Sequence, residues 1–151
     1  MAQGLHNELA SLLGDLAIRM QGRTDTDSTL RAIVEGAVAA VPGTRWAGIS
    51  LIQRRSVTPR VPRNPLIDEL DELQTQLDDG PCLSALREQR TILIDDMTTE
   101  ARWPRFTAAA VERGVMSLMS FQLFVEGESL GALNLYARDA GVFTEDSVFH
   151  R

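Results

Sequence analysis

The stretch from Trp46 to Ile52 carries apolar side chains at both odd and even positions. A strand with one face in water alternates apolar and polar residues. A strand apolar on both sides belongs at the centre of a sheet that is covered above and below. The rest of the chain therefore has to supply helices for two faces. Leu30, Ile33, Val34, Ala37, Val38 and Val41 form one helical stripe, which Pro42-Gly43 ends. A second helix is predicted over 66–77, with Leu66, Leu70, Leu73 and Leu77 on its inner side and Asp68, Glu69, Asp71 and Glu72 facing elsewhere. Asp79-Gly80-Pro81 stops it, and a short helix from Cys82 to Arg87 follows. A further helix is predicted over 102–113, ended by Gly114.

The remaining strands are expected at 57–63, Thr91–Ile94, Val115–Val125 and Leu130–Ala137. Pro59 and Pro62 limit the first to a sheet edge. Turns are expected at Arg54-Arg55-Ser56 and at Glu126-Gly127-Glu128. Together these elements make one sheet with helices on both faces, a mixed α/β or α+β sandwich. Two terminal helices are expected beside it. Leu5, Leu9, Leu12, Leu16 and Met20 make a stripe in residues 1–24, which either pairs with a second copy or covers the sheet. Thr144 is placed to cap a last helix that is cut short at Arg151. Residues 25–151 then form the globular unit.

Composition narrows the function. The 151 residues, 44% of them hydrophobic, suit one domain with a single core. A net charge of −6 argues against a general grip on nucleic acid, because phosphate binding wants a basic surface. With Cys82 as the one cysteine, no disulfide can form within the chain, and a reducing, cytoplasmic setting is expected. There is no run of 18 apolar residues, so no membrane partner is expected. His6 and His150 lie near opposite ends, and no repeated Cys or His spacing marks a metal site. Asp78, Asp79, Asp95 and Asp96 read as turn caps before they read as cation ligands. The expectation is no catalytic group, no metal and no cofactor.

An ordered series of motifs adds to this. Gln76 to Leu83 reads Q-L-D-D-G-P-C-L and is followed by Ala85-Leu86, Ile92 to Asp96, and Arg102-Trp103-Pro104-Arg105-Phe106. Gly114-Val115, Ser117 and Ser120-Phe121 come next, then Leu130-Gly131-Ala132-Leu133-Asn134-Leu135-Tyr136, Gly141 and Phe143. Over residues 26–149 the series resembles a GAF domain, most closely the sensor half of bacterial GAF–ANTAR transcription antitermination regulators. That resemblance implies an α+β fold with a central antiparallel sheet and helices on both faces. It implies a small-molecule site between sheet and helices, for which Trp46, Cys82, Trp103, Met119, Phe121 and Tyr136 are the candidate lining. It also implies a non-catalytic, dimeric sensor whose RNA contacts belong to a helical C-terminal domain absent from this sequence. The cysteines of GAF-type methionine sulfoxide reductases and the residues of bilin, haem or cyclic-nucleotide sites are missing.

Two other functions fit the same residues. One is a ligand-free interaction or dimerisation module. The other is a small cytosolic enzyme with Cys82 as nucleophile, since a thiolate is stabilised at a helix start. Against this, a lone cysteine in an apolar pattern is commonly a small buried hydrophobe. Trp103 and Phe106 equally suit core filling. Asn134, inside an apolar strand, needs a hydrogen-bond partner wherever it points.

Overall fold

The computed structural model describes residues 26–53, 56–61, 64–88, 91–124 and 130–143. The Leu5–Met20 stripe, the Thr144 cap and the turns expected at 54–56 and 126–128 lie wholly or largely outside these residues. The described elements run α1 (Thr26–Ala40), β1 (Trp46–Gln53), β2 (Ser56–Val61), α2 (Pro65–Leu77), α3 (Pro81–Glu88), β3 (Ile92–Ile94), α4 (Pro104–Glu112), β4 (Ser117–Phe124) and β5 (Leu130–Ala137).

The strands form one five-stranded sheet in the order β2-β1-β5-β4-β3. Every neighbouring pair is antiparallel. The strand that is apolar on both sides, β1, lies inside the sheet, and the proline-bearing β2 is at its edge. Register sets the two faces. Gly48 and Ser120 both pair with Asn134, while Trp46 and Leu118 both pair with Tyr136. These positions point one way, and the residues between them point the other.

The face toward α1 is apolar across its centre. Ala47, Ile49, Met119, Phe121, Leu133 and Leu135 pack there against Leu30, Ile33, Val34, Ala37 and Val41. The α1 stripe is as expected except for Val38, which is 38% exposed at its margin. On the opposite face Leu118, Tyr136, Ile92 and Ile94 pack with Ile67 and Leu70 of α2, Ala85 of α3, and Phe106 and Ala110 of α4.

Helix α2 begins on Asn64, whose side chain accepts the Leu66 N–H at 2.8 Å, with Pro65 in the first turn. It ends on Asp78 in the left-handed conformation. Its inward face differs from the one expected. Ile67, Leu70, Asp71 and Gln74 are buried, whereas Leu66, Leu73 and Leu77 are half-buried. Both sets have helical spacing. Counting leucines favours Leu66, Leu70, Leu73 and Leu77, but burial follows Ile67, Leu70, Asp71 and Gln74 and takes Asp71 inside. Helix α4 starts two residues later than expected, because Trp103 adopts φ 53°, ψ 57° and leaves Pro104 to open the helix.

Gly80, between α2 and α3, has φ 150°. A Cβ built there would overlap the side chain of Gln74, which is fully buried. Gln74 cannot swing into solvent, so the overlap falls on the core. Gly80→Ala is expected to lower stability by about 2–3 kcal/mol, combining positive-φ strain with overpacking. Urea denaturation of the variant measures it.

Candidate functional site

Between the sheet and helices α2 and α3 the apolar core encloses a cluster of polar side chains. Strands β1, β4 and β5 contribute Ser50, Ser120 and Asn134, helix α2 contributes Asp71 and Gln74, and helix α3 contributes Cys82; all six are fully buried. Their spacing follows from the elements. Asp71 and Gln74 are three apart on one helical face, Ser120 and Asn134 are register partners, and Gly80-Pro81 turns the chain so that Cys82, the second residue of α3, meets Gln74.

Asn134 is the hub. Its Oδ1 accepts the Ser120 hydroxyl at 2.7 Å and the Cys82 thiol at 3.1 Å, and its Nδ2 donates to Ser50 Oγ at 3.4 Å. Ser50 in turn donates to Asp71 Oδ2 at 2.5 Å. Gln74 clamps Cys82 from the other side: its Oε1 accepts the Cys82 backbone N–H at 2.9 Å, and its Nε2 donates to Sγ at 3.2 Å. Among the described residues, two buried side-chain atoms lack a hydrogen-bond partner, Asp71 Oδ1 and the Tyr136 hydroxyl. Both belong to this face of the sheet.

Burial dominates the electrostatics. Removal from water pushes the Asp71 carboxyl up to about 7, against the lowering effect of the Ser50 hydrogen bond and with a further rise from Asp68. Burial likewise pushes the Cys82 thiol up to about 12, helped by Asp71. It raises the Tyr136 phenol well above its usual value too. A sulfur that is 0% exposed and protonated is a poor nucleophile. Ellman's reagent is therefore expected to leave the native protein unlabelled at pH 8 and to titrate one thiol after unfolding in guanidinium.

Trp103 stands at the margin. Its indole N–H donates to the Ser84 hydroxyl of α3 at 3.2 Å, and the Arg102 guanidinium lies 4.6 Å from the ring centroid. Arg102 is itself held by Glu100 and by the Leu93 carbonyl at 2.9 Å. With Leu77, Asp79, Pro104 and Arg105, Trp103 also lines a surface hollow of about 260 Å³.

Of the six residues expected to line a site, Cys82, Trp103 and Tyr136 lie on this face of the sheet. Trp46 is half-buried at the end of the same face, with the guanidinium groups of Arg45 and Arg138 at 5.2 and 5.5 Å from its ring. Met119 and Phe121 are on the opposite face against α1, because each is one residue out of phase with Ser120 along β4. Ser50, Asp71, Gln74 and Ser120 were not among the expected residues. The signal for two of them is in the sequence: Ser50 and Ser120, like Asn134, are polar interruptions of apolar strands. Among the described residues there is no cluster of three or more metal-ligating side chains, and no helix is long and apolar enough to cross a membrane.

Among solved structures, the chain is similar to CepR2, an N-acylhomoserine lactone-dependent LuxR-family transcription factor from Burkholderia cenocepacia. The TM-score is 0.66 at 15% identity, covering 94% of this chain and 85% of that one. It is also similar to a GAF domain/HD domain protein from Geobacter sulfurreducens (TM-score 0.57, 20% identity, 85% of each chain). A third is the free methionine-R-sulfoxide reductase of Neisseria meningitidis (TM-score 0.56, 18% identity, 93% of this chain and 79% of that one). At these identities the likeness is one of fold. No curated protein matches the chain. The GAF domain family model matches residues 23–149. With that match over most of its length and an antiparallel sheet covered on both faces, the chain belongs to the GAF domain family.

Proposed function

We propose that the chain is a non-catalytic regulatory sensor domain, in which a small molecule binds the polar layer between the sheet and α2–α3. Binding biases the packing of the domain, and the terminal segments pass that bias on. The observation that carries this reading is the pair of unpartnered buried atoms, Asp71 Oδ1 and the Tyr136 hydroxyl. A purely structural polar layer closes on itself, because a buried group without a partner costs about 1–3 kcal/mol. The ordered motifs from Gln76 to Phe143 favour a place in a cytoplasmic GAF–ANTAR antitermination regulator, with RNA bound by a C-terminal helical domain. The Leu5, Leu9, Leu12, Leu16 and Met20 stripe is its proposed homodimer element.

The rival enzyme reading rests on Cys82. That sulfur is buried, donates to Asn134 and accepts from Gln74, which supports a structural role for it. Native mass spectrometry of the protein as purified tests the sensor reading. A dimer carrying a small-molecule mass supports it, and a bare monomer overturns both the ligand and the dimer.

A further inference from the structure

We infer that Asp71, Ser50 and Asn134 form a reversible hydrogen-bond relay, whose direction is set by one proton on Asp71 and is felt at Ser120 and at the Cys82 thiol. The inference concerns the buried layer itself and holds whether or not a ligand binds there.

The contacts run as one chain. Asp71 Oδ2 of α2 is 2.5 Å from Ser50 Oγ of β1, which is 3.4 Å from the Asn134 amide of β5. The other end of that amide is 2.7 Å from Ser120 Oγ of β4 and 3.1 Å from Cys82 Sγ of α3. With Asp71 ionised, every bond points toward it. The thiol and the Ser120 hydroxyl donate to Asn134, Asn134 donates to Ser50, and Ser50 donates to the carboxylate. A protonated Asp71 has an O–H of its own to donate. Ser50 Oγ then accepts from Asp71 and turns its hydroxyl hydrogen toward Asn134. A half-turn of the Asn134 amide exchanges Oδ1 and Nδ2, so that the oxygen accepts from Ser50 and the nitrogen donates to Ser120 Oγ and Cys82 Sγ. All the bonds reverse, and the S–H hydrogen loses its acceptor. Gln74 donates to the sulfur in both arrangements.

Neither arrangement satisfies every group. Ionised Asp71 is a buried charge with Oδ1 unpartnered, facing neutral Ser50 and the protonated Cys82 and Tyr136. The charged side chain that acts on it is Asp68 of its own helix, of like sign. Helix α4 brings Arg113 to α2, but that guanidinium is engaged by Glu69 on the exposed side. Strand β2 meets α2 at Thr75, which accepts the neutral Val57 N–H. Protonated Asp71 carries no charge, but the Ser120 hydroxyl and the weakly polar thiol then give up Asn134 Oδ1. Burial moves the balance between the two from 3.8 up to about 7.

Cys82 is the one cysteine in the chain, so there is a single S–H stretching band to follow. The test is infrared spectroscopy of the full chain in water from pH 5 to pH 10, where the thiol stays protonated. The same spectra carry the C=O band of a buried protonated carboxyl. As that band disappears through about pH 7, the S–H band is expected to move to lower frequency, from a free to a hydrogen-bonded thiol. In Asp71→Asn the S–H band should not respond to pH. Ser50→Ala, checked for fold by circular dichroism, cuts the relay and keeps the titrating group. Its carboxyl band should be lost at higher pH, because the hydroxyl that lowers it is gone, and its S–H band should stay in place.

A wild-type S–H band that stays fixed while the carboxyl band disappears overturns the relay. So does a wild-type carboxyl band that does not titrate in this range. Both outcomes are read on the wild type and need no variant to fold. An S–H band that moves with the carboxyl in Ser50→Ala also overturns it, and places the effect in the field of the charge alone.

Discussion

Asp71→Asn is expected to be less stable than the ligand-free wild type at pH 4 by about 1 kcal/mol and more stable at pH 8 by about 3 kcal/mol. The sign follows from proton counting. In the native state the carboxyl titrates near 7, and unfolded near its ordinary 3.8. Between those values the native chain holds a proton that the unfolded chain has lost. Stability therefore falls as pH rises through this window and is level above it. A rise of about three pH units is equivalent to about 4 kcal/mol. Asparagine carries no charge in either state, so the variant lacks this slope, although its amide nitrogen inherits an unpartnered position and costs about 1 kcal/mol.

The groups that bear on Asp71 from the elements around it are Asp68 on α2, Ser50 on β1, Cys82 on α3 and Tyr136 on β5. Cys82 and Tyr136 are pushed upward and stay protonated throughout the window. Asp96 and Glu100, whose carboxyls lie below their ordinary range, contribute the opposite slope at lower pH. They do so equally in both proteins, so the difference between wild type and variant isolates Asp71. Urea denaturation at pH 4, 6 and 8 measures it. Parallel profiles for the two proteins would show that Asp71 is not buried as a lone acid.

The sheet and its covering helices were legible because hydrophobic periodicity reports burial directly. The β1 stretch, apolar at both parities, does lie inside the sheet, and the α1 stripe packs as its spacing predicts. The polar layer was harder to read, because its members are hidden by the rule that finds cores. Asp71 sits among Asp68, Glu69 and Glu72, and a charged residue in an acidic run reads as a solvated face. Only the rotation of α2, fixed by the contacts of Ile67 and Leu70 with the sheet-side core, turns it inward. Strand parity was the other gap. Met119 and Phe121 are as apolar as Leu118 and Tyr136, and which pair faces α2–α3 depends on a register that local sequence does not contain. Asn134 needed no register to be noticed, since a buried amide must find partners on either face.

Asn134→Leu is accordingly expected to cost about 3–4 kcal/mol, although leucine matches asparagine in shape and suits an apolar strand better. The change removes no packing volume and adds the bulk of two methyl groups, so its cost is shared between overpacking and the groups left behind. The Ser120 hydroxyl and the Cys82 thiol lose their acceptor, and Ser50 Oγ loses its donor. Each lost partner in a dry site costs about 1–3 kcal/mol, less for the weakly polar thiol. A second substitution separates this from a packing effect. Ser120→Ala alone is expected to cost about 1–2 kcal/mol, because it takes one donor from Asn134 Oδ1. In the Asn134→Leu background the same change should be neutral or stabilising, since the hydroxyl it removes is by then unpartnered. The coupling between the two sites would then be about 1–3 kcal/mol, read from the four urea denaturation curves. Additive costs would place the Asn134 effect in packing. A coupling of that size would place it in the hydrogen bonds that meet at Asn134, which also donates to the Ser50 hydroxyl held by Asp71.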